Sequence, residues 1–273
     1  MLRVGTTTDV QFEVADRVAL VTISRPQSRN AIARTTIVEL ANVLEQVALE
    51  DVSAVVLTGA GDRAFVSGGD LKDLAEITAP HAAEEMARSM RAVLDRVAAL
   101  PVPVIAALNG HAIGGGAEVA VAADIRVASD DGRIGFTQST LGIMPAWGGV
   151  ERLTELVGRS RALLLLCAGQ TVSAQQAFEL GLVDVVVDRP GFQECWRSVA
   201  AGIATLSPAA AHSIKALVST VRPATHPATE EAAVRAFAEL WVAPDHWRLV
   251  EAAESRRRDE TSRPGPTLST TSR

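Results

Sequence analysis

The stretch Val104–Glu118 reads VIAALNGHAIGGGAE and carries the clearest signals for the fold. Its opening segment, Val104–Leu108, is wholly apolar and predicts a short buried strand. The glycine-rich segment Asn109–Gly116 follows, and the small residues of Ala117–Ala123 predict a helix that packs close to its neighbours. Another strand, Asp124–Ala128, comes directly after this helix. The order strand, glycine turn, helix and strand predicts an α/β fold whose sheets are covered by helices.

The chain on either side repeats this alternation of strand and helix. Upstream, the spacing of apolar residues predicts a strand pair over Phe12–Ser24, a helix over Ile32–Leu49, a strand over Ser53–Thr58, a loop over Ala60–Asp73 and a helix over Ala82–Leu100. From Gly149 onward the pattern is helical, except for one short strand over Val183–Val187. Residues 261–273 are rich in Ser, Thr and Pro, which predicts a disordered tail.

The composition is typical of a globular protein, with 273 residues, 48% hydrophobic residues and a formal net charge of -6. This acidic balance argues against nucleic acid as a partner. The basic run Arg256–Arg258 adjoins Asp259 and Glu260, so it is interpreted as a solvated helix end rather than as a binding patch.

The N-terminal residues and the two cysteines bear on where the protein works. The first residues lack a basic segment followed by an apolar one, and no apolar stretch approaches the roughly 18 residues of a membrane span. The sequence therefore predicts a cytoplasmic protein without a membrane partner. Cys167 and Cys195 lie far apart within apolar helical patterns. They are interpreted as core thiols rather than as a disulfide or metal ligands.

Two glycine clusters each follow a predicted strand: Ser67–Asp70, which reads SGGD, and Gly114–Glu118, which reads GGGAE. The second cluster also opens a helix, whose first N–H groups are free and partially positive. Two such clusters aimed at one point would form an oxyanion hole, a set of N–H donors that stabilises a negatively charged oxygen. Taken one at a time, each cluster is better explained as a tight turn.

A third glycine segment, Gly59–Ala64, follows a strand and fits the dinucleotide-binding pattern G-x-G-x-x-A. That pattern requires a helix to open at the glycines, so that its N-terminus meets the pyrophosphate. The residues that follow, Phe65–Asp70, are irregular instead. The sequence therefore argues against a nucleotide cofactor at this segment.

Taken together, the glycine clusters and their surroundings resemble the crotonase superfamily, which includes the enoyl-CoA hydratases and isomerases. The resemblance runs in order from Val10 to Lys215 and is carried by these segments: Val21–Pro26 with Asn30–Ala31, Leu57–Gly61, Ala64–Leu71, Asn109–Gly110, Gly114–Glu118, Ala123–Arg126, Leu141–Ile143 with Pro145, Gly148–Gly149, Ala174–Ala177 and Gly181–Val183. The resemblance implies a spiral of β-β-α units with a helical C-terminal segment.

The resemblance also implies the chemistry. Members of this superfamily bind an acyl-coenzyme A thioester with its carbonyl oxygen between two backbone N–H groups, here those of Gly69 and Gly115, and they need no metal or further cofactor. A second group of residues is implied to contact the substrate or its coenzyme A part: Arg29, Ser67, Asp70, Lys72 and Trp147. Lys72 is equally well explained as a solvated loop lysine.

Glu118 fills one of the two positions at which the superfamily carries an acid or base. It could simply be a first-turn carboxylate stabilised by the helix dipole. However, the rest of the turn is apolar, and an isolated carboxylate there is costly unless it has a function. A catalytic role is therefore favoured.

The second acid or base position departs from the pattern, because Gln138 stands where hydratases carry glutamate. Glutamine transfers no proton at neutral pH, although it can orient a water or a carboxylate. Trp147 also replaces a small residue, and the Trp147–Gly149 segment with Leu240–Trp241 resembles the branch that decarboxylates ethylmalonyl- and methylmalonyl-CoA. Hydration of an enoyl-CoA is the favoured reaction, decarboxylation is the alternative, and a non-catalytic acyl-CoA-binding scaffold is a third possibility.

Other classes find less support. A serine hydrolase would need the segment G-x-S-x-G, which the sequence lacks, and His111 is interpreted as part of the turn before the second glycine cluster. The expected organisation is a catalytic core over residues 1–200, a helical oligomerisation segment over 201–260 and the tail over 261–273. By resemblance, we expect a homotrimer or a dimer of trimers, with the helix Glu230–Leu240 and exposed Trp241 and Trp247 at the interface.

Overall fold

The computed structural model of the chain describes residues 3–6, 9–205, 207–220 and 227–262. The strands are β1 (Arg3–Thr6), β2 (Val10–Ala15), β3 (Val18–Ile23), β4 (Ala54–Gly59), β5 (Ala64–Val66), β6 (Val104–Leu108), β7 (His111–Ile113), β8 (Ile125–Ser129), β9 (Arg133–Gly135), β10 (Thr171–Ser173) and β11 (Val185–Val187). The helices are α1 (Arg34–Ala48), α2 (Leu71–Leu74), α3 (Pro80–Ala99), α4 (Gly115–Ala122), α5 (Gly149–Val157), α6 (Arg159–Ala168), α7 (Ala174–Glu179), α8 (Phe192–Ala204), α9 (Pro208–Thr220), α10 (Pro227–Trp241) and α11 (Pro244–Ser262). Short 3-10 turns span Pro26–Ser28 and Thr137–Leu141.

The strands form two sheets, and from β4 to β9 consecutive strands alternate between them. One sheet has the order β1-β2-β3-β4-β6-β8-β11, and the other has the order β10-β9-β7-β5. Each of the pairs β4 with β5, β6 with β7 and β8 with β9 contributes its first strand to the large sheet and its second to the small one. The expected spiral of β-β-α units is therefore confirmed.

The small sheet is what the sequence pattern missed. The predicted loop over Ala60–Asp73 contains β5 and the start of α2, and the predicted glycine turn contains β7. A further strand, Thr171–Ser173, lies in the region predicted to be helical. Each of these strands spans three residues, which is too short for an alternating pattern to appear.

The last helices return to the core. Helix α10 packs against α3, and Trp241 is only 2% exposed, with its indole N–H donating to the Ile77 carbonyl at 3.0 Å. Trp247 is half-buried against the same core. The prediction that Trp241 and Trp247 are exposed is therefore wrong, because tertiary contacts that sequence spacing does not encode bury Trp241 and cover part of Trp247.

The cysteines also differ from expectation. Cys167 is exposed on α6 and Cys195 is half-buried on α8, and both are free thiols. The interpretation of Cys167 as a core thiol is wrong, because α6 turns that face outward together with exposed Leu163 and Leu164. An apolar run in sequence does not define which face of a short helix meets the core.

The division of the chain at residues 200 and 260 stays a prediction, and the tail expected over residues 261–273 lies almost wholly outside the described residues. Within the described ranges, no helix is both long enough and apolar enough to cross a bilayer.

Lys215 fastens α9 to the core. Its ammonium group donates to the Asp124 carboxylate at 2.6 Å and to the Val102 carbonyl at 2.9 Å, and the side chain is buried. We expect Lys215→Met to lower the free energy of unfolding by about 1–3 kcal/mol, because both acceptors lose a charged donor. Urea unfolding measures this. Lys72→Met, at an exposed lysine, is the matched control and should change stability little; equal losses in the two variants would contradict the role of Lys215.

Candidate active site

The two glycine clusters meet because the strands before them are neighbours. Strand β5 pairs in parallel with β7, with Val66 opposite Ala112, so both chains leave the small sheet at the same edge. A Cβ atom built on Gly68 would lie 3.6 Å from the Gly115 nitrogen. The sequence placed these clusters forty-odd residues apart, and the fold brings their backbones into contact.

The N–H group of Gly69 is free because the strand bridge at this residue does not use it. Ile32 forms an isolated parallel bridge to Gly69, in which its N–H donates to the Gly68 carbonyl and its carbonyl accepts from Asp70, each at 2.8 Å. Because the bridge uses the groups on either side, the N–H of Gly69 points away from it. Among the described residues it meets no hydrogen-bond acceptor.

The N–H group of Gly115 is free for a different reason. Gly115 is the first residue of α4, so no earlier helical carbonyl faces its N–H, and no acceptor within the described part of the chain binds it. Gly114 enters the helix with a φ of 57°, a left-handed conformation that favours glycine. A Cβ on Gly116 would lie 1.8 Å from the Val66 carbonyl oxygen, so the helix start also needs glycine for close packing.

Trp147 lies against both glycines. A Cβ on Gly115 would meet the indole Cζ3 at 2.1 Å, and one on Gly69 would lie 3.9 Å from Cη2. The indole is almost fully buried and lines the same cleft as both N–H groups. Trp147 therefore occupies space that a side chain at position 115 would otherwise fill.

Glu118 is held one turn into α4 and is 2% exposed. Its Oε2 accepts from the N–H groups of Trp147 at 2.8 Å and Gly149 at 2.9 Å, and its Oε1 accepts from the Gln138 amide at 2.9 Å. Burial raises the pKa of Glu118 to about 7, although these donors and the nearby Arg152 guanidinium act to lower it. A carboxyl group with this pKa can both accept and donate a proton near neutral pH.

Gln138 lies in the Thr137–Leu141 turn and is buried. Its amide nitrogen faces Glu118, and its Oε1 has no hydrogen-bond donor among the described residues. This oxygen is itself buried, so it can accept a hydrogen bond only from a small donor, such as a water molecule, that enters beside it. Arg152 lies near Glu118, and its guanidinium donates to the Trp147 carbonyl at 3.0 Å and forms an ion pair with Asp95.

These groups line one cleft of about 770 Å³. All the residues predicted for the site border it: Arg29, Ser67, Gly69, Asp70, Lys72, Gly115, Glu118, Gln138 and Trp147. His111, interpreted from sequence as structural, borders it as well.

The apolar wall of the cleft was not predicted from the sequence. It is formed by side chains from the middle of the chain and from α10, namely Leu74, Met86, Ile143, Met144, Phe237 and Trp241. The sequence suggested a branch resemblance for Leu240–Trp241 and a subunit interface for Trp241, but not a place at the cleft. No local signal marked Phe237, because its position depends on α10 folding back over α3.

Buried asparagines hold the loops around the site. The Asn30 amide nitrogen donates to the carbonyls of Ala60 at 3.0 Å and Ala64 at 2.8 Å, and Asn109 donates to Gly61 at 2.7 Å. Asp70 is likewise engaged, because one oxygen caps α2 and the other pairs with Arg25 at 2.9 Å. Arg29 and Lys72 are exposed at the cleft border.

No group of three or more His, Cys, Asp or Glu side chains suited to a metal ion occurs in the described ranges. That the protein needs no metal and no further cofactor stays a prediction.

Comparison with known proteins agrees with the fold. The family model described as enoyl-CoA hydratase/isomerase matches residues 13–253. A short-chain-enoyl-CoA hydratase of Clostridium acetobutylicum is 37% identical over 203 residues, which cover 74% of this chain and 77% of that protein. A crotonyl-CoA hydratase of Syntrophomonas wolfei is 36% identical over 180 residues, covering 66% and 69%. The crystal structure of an enoyl-CoA hydratase from Mycobacterium avium subsp. paratuberculosis superimposes with a TM-score of 0.82 at 25% identity, covering 90% of this chain and 99% of that one.

Fold and matches together define a protein of the crotonase superfamily. Within it, the chain belongs to the enoyl-CoA hydratase/isomerase family.

Proposed function

We propose that this protein adds water to a short-chain enoyl-CoA, and removes it in the reverse direction. One observation carries the proposal: two free N–H groups, those of Gly69 and Gly115, border the same cleft as a buried carboxyl group, Glu118, whose pKa lies at about 7. The related hydratases named above support the choice of substrate.

In the proposed reaction, the thioester carbonyl oxygen accepts from the N–H groups of Gly69 and Gly115. Ionised Glu118 takes a proton from a water molecule while the oxygen of that water bonds to the β-carbon. The electrons of the double bond pass to the carbonyl oxygen, which gives an enolate. Glu118 then returns the proton to the α-carbon and the carbonyl re-forms. Gln138 orients the water through its free Oε1 but transfers no proton.

The coenzyme A part of the substrate is proposed to lie near Arg29 and Lys72, the exposed cations at the cleft border. Ser67 and Asp70 contribute mainly by shaping the loop that carries them, since Ser67 donates to the Ser28 carbonyl at 3.3 Å and Asp70 caps α2. We further propose a cytoplasmic homotrimer or dimer of trimers. Sedimentation equilibrium tests the assembly, and a monomer over the working concentration range would contradict it.

Decarboxylation of a methylmalonyl- or ethylmalonyl-CoA is the second candidate, and Gln138 is the observation that favours it. A substrate carboxylate beside Gln138 meets a neutral amide instead of a second negative charge. The bond from the α-carbon to the carboxylate would break, CO₂ would leave, and the electrons would form the enolate at the same N–H groups. Protonated Glu118 would then donate its proton to the α-carbon.

The substitution Gln138→Glu separates the two reactions by sign. If the protein is a hydratase, a second carboxylate can activate water, so hydration of crotonyl-CoA is expected to rise about tenfold or more. If it is a decarboxylase, the added charge repels the substrate carboxylate and loss of CO₂ is expected to fall. Both reactions are measured on the wild type and on the variant.

Gln138→Leu is the control for a general disturbance of the turn, and it should raise neither activity. Acyl-CoA binding with no turnover of either thioester in the wild type would contradict both reactions and would favour the non-catalytic scaffold.

A further inference from the structure

His246 is a buried histidine that the proposed reaction does not use. It lies in the first turn of α11 and is 0% exposed. Its Nδ1 lies 2.6 Å from the Leu141 carbonyl oxygen. Its Nε2 is buried and has no hydrogen-bond partner in the described part of the chain.

The Leu141 carbonyl ends the turn that carries Gln138. Within this turn the Gln138 carbonyl accepts from Ile143 at 3.2 Å, and Gly142 adopts a φ of 72°. A Cβ on Gly142 would lie 3.6 Å from the His246 Cα, so α11 packs directly on the turn. His246 therefore contacts the segment whose position decides where the Gln138 amide points.

The same ring also contacts the apolar wall of the cleft. The centroids of His246 and Trp241 are 4.8 Å apart, and those of His246 and Trp247 are 4.7 Å apart. Trp241 borders the cleft and is itself fixed by its bond to the Ile77 carbonyl. The imidazole thus joins three parts of the site: the Gln138 turn, the wall formed by α10, and the start of α11.

We propose that His246 is a positioning residue whose Nδ1–H, donated to the Leu141 carbonyl, holds the turn so that the Gln138 amide stays on Glu118. The inference deepens the proposed function, because it assigns a support to one of the groups around the Glu118 carboxyl.

The geometry fixes the state of the ring. A carbonyl oxygen only accepts hydrogen bonds, so Nδ1 must carry the proton. A proton on Nε2 as well would place a charge among indole rings with no acceptor in the described ranges. Burial accordingly lowers the pKa of His246, against the raising effect of the Leu141 contact. The neutral ring protonated at Nδ1 is therefore the form that holds the turn.

The test reads out the Glu118 carboxyl directly and does not depend on turnover, so its failure is distinguishable from failure of the proposed reaction. The titration of the Glu118 carboxyl carbon is followed by NMR in four proteins: wild type, Gln138→Leu, His246→Phe and His246→Asn. Gln138→Leu removes a donor to the carboxylate and is expected to raise the Glu118 pKa. His246→Phe keeps an aromatic ring but loses the donor to Leu141, and it should raise the pKa in the same direction.

His246→Asn is the conservative variant, because its amide nitrogen can replace Nδ1 as the donor, and it should restore most of the wild-type value. Val250→Ala is the matched control for stability: it removes buried apolar volume from the same helix and leaves the His246 side chain and its Leu141 acceptor in place. It should lower Tm and leave the Glu118 titration unchanged. If turnover is present, kcat of His246→Phe should fall about tenfold with recovery in His246→Asn.

A Glu118 titration that is unchanged in folded His246→Phe would overturn the proposal, as would an equal change in Val250→Ala. If His246→Phe does not fold, nitrogen NMR of the wild-type histidines decides, with His246→Asn identifying the signal. The proposal requires a proton on Nδ1 and none on Nε2 near neutral pH, and the opposite tautomer or a charged ring would refute it.

Discussion

Replacing Glu118 with glutamine is expected to lower the turnover of crotonyl-CoA by about 10²–10⁴-fold, the factor that a positioned acid or base supplies. The substitution is nearly isosteric, and the new carbonyl oxygen can still accept from the N–H groups of Trp147 and Gly149. The fold and the free N–H groups should therefore survive while proton transfer is lost. The turnover rate is measured by stopped-flow absorbance, which follows the loss of the conjugated thioester.

Glu194→Gln provides the matched control, because Glu194 is an exposed carboxylate on α8 that does not border the cleft. Its turnover should equal that of the wild type. A Glu118→Gln enzyme that keeps turnover within a few-fold of wild type would overturn the proposed mechanism, whichever thioester is the substrate.

The pH dependence of stability gives an independent check on Glu118. Its pKa in the folded protein is raised to about 7 from an ordinary value of 4.5. Between these values the folded protein holds a proton that the unfolded chain has released, so this carboxyl group makes the free energy of unfolding fall as pH rises through the window. Urea unfolding at several pH values should show that fall in the wild type and lose this part of it in Glu118→Gln.

The sequence contained enough to predict the order of the main elements and a set of residues that border one cleft. Continuous apolar strands such as Val104–Leu108 and the isolated Glu118 among small residues are visible in a short window of sequence. They can therefore be recognised without a structure. The pairing of Gly69 with Gly115 needed the resemblance to a family, because spacing alone does not show that two loops meet.

The rest depends on contacts between distant residues. The small sheet is built from strands of three residues that have no stability alone. Trp147 reaches Gly115, and Trp241 at the end of α10 borders the cleft, only after the whole chain has folded. For the same reason, hydrophobicity marked Trp241 and Trp247 as exposed, although contacts within the chain bury Trp241 and half-bury Trp247.

The second large effect is expected from removing either N–H donor. Gly69→Pro and Gly115→Pro should each lower turnover by about 10²–10³-fold, because this is the usual cost of removing one donor to a developing oxyanion. Proline is tolerated in the first turn of a helix, where Gly115 lies. However, any side chain at position 115 meets the Trp147 indole, since a Cβ would lie 2.1 Å from its Cζ3.

Each proline variant must therefore be compared with alanine at the same position, because alanine adds the Cβ and keeps the N–H. At position 69 the added Cβ comes too close only to the flexible end of Leu74, at 2.8 Å, while the Trp147 Cη2 at 3.9 Å is in ordinary contact. Gly69→Ala should therefore stay close to wild type, and nearly the whole loss in Gly69→Pro belongs to the donor. At position 115 alanine should itself be impaired, and the further loss on going to proline is the part due to the N–H. Far-ultraviolet circular dichroism confirms that each variant is folded. If Gly69→Pro, once folded, turns over as fast as Gly69→Ala, the N–H of Gly69 does not bind the thioester oxygen and the oxyanion assignment fails.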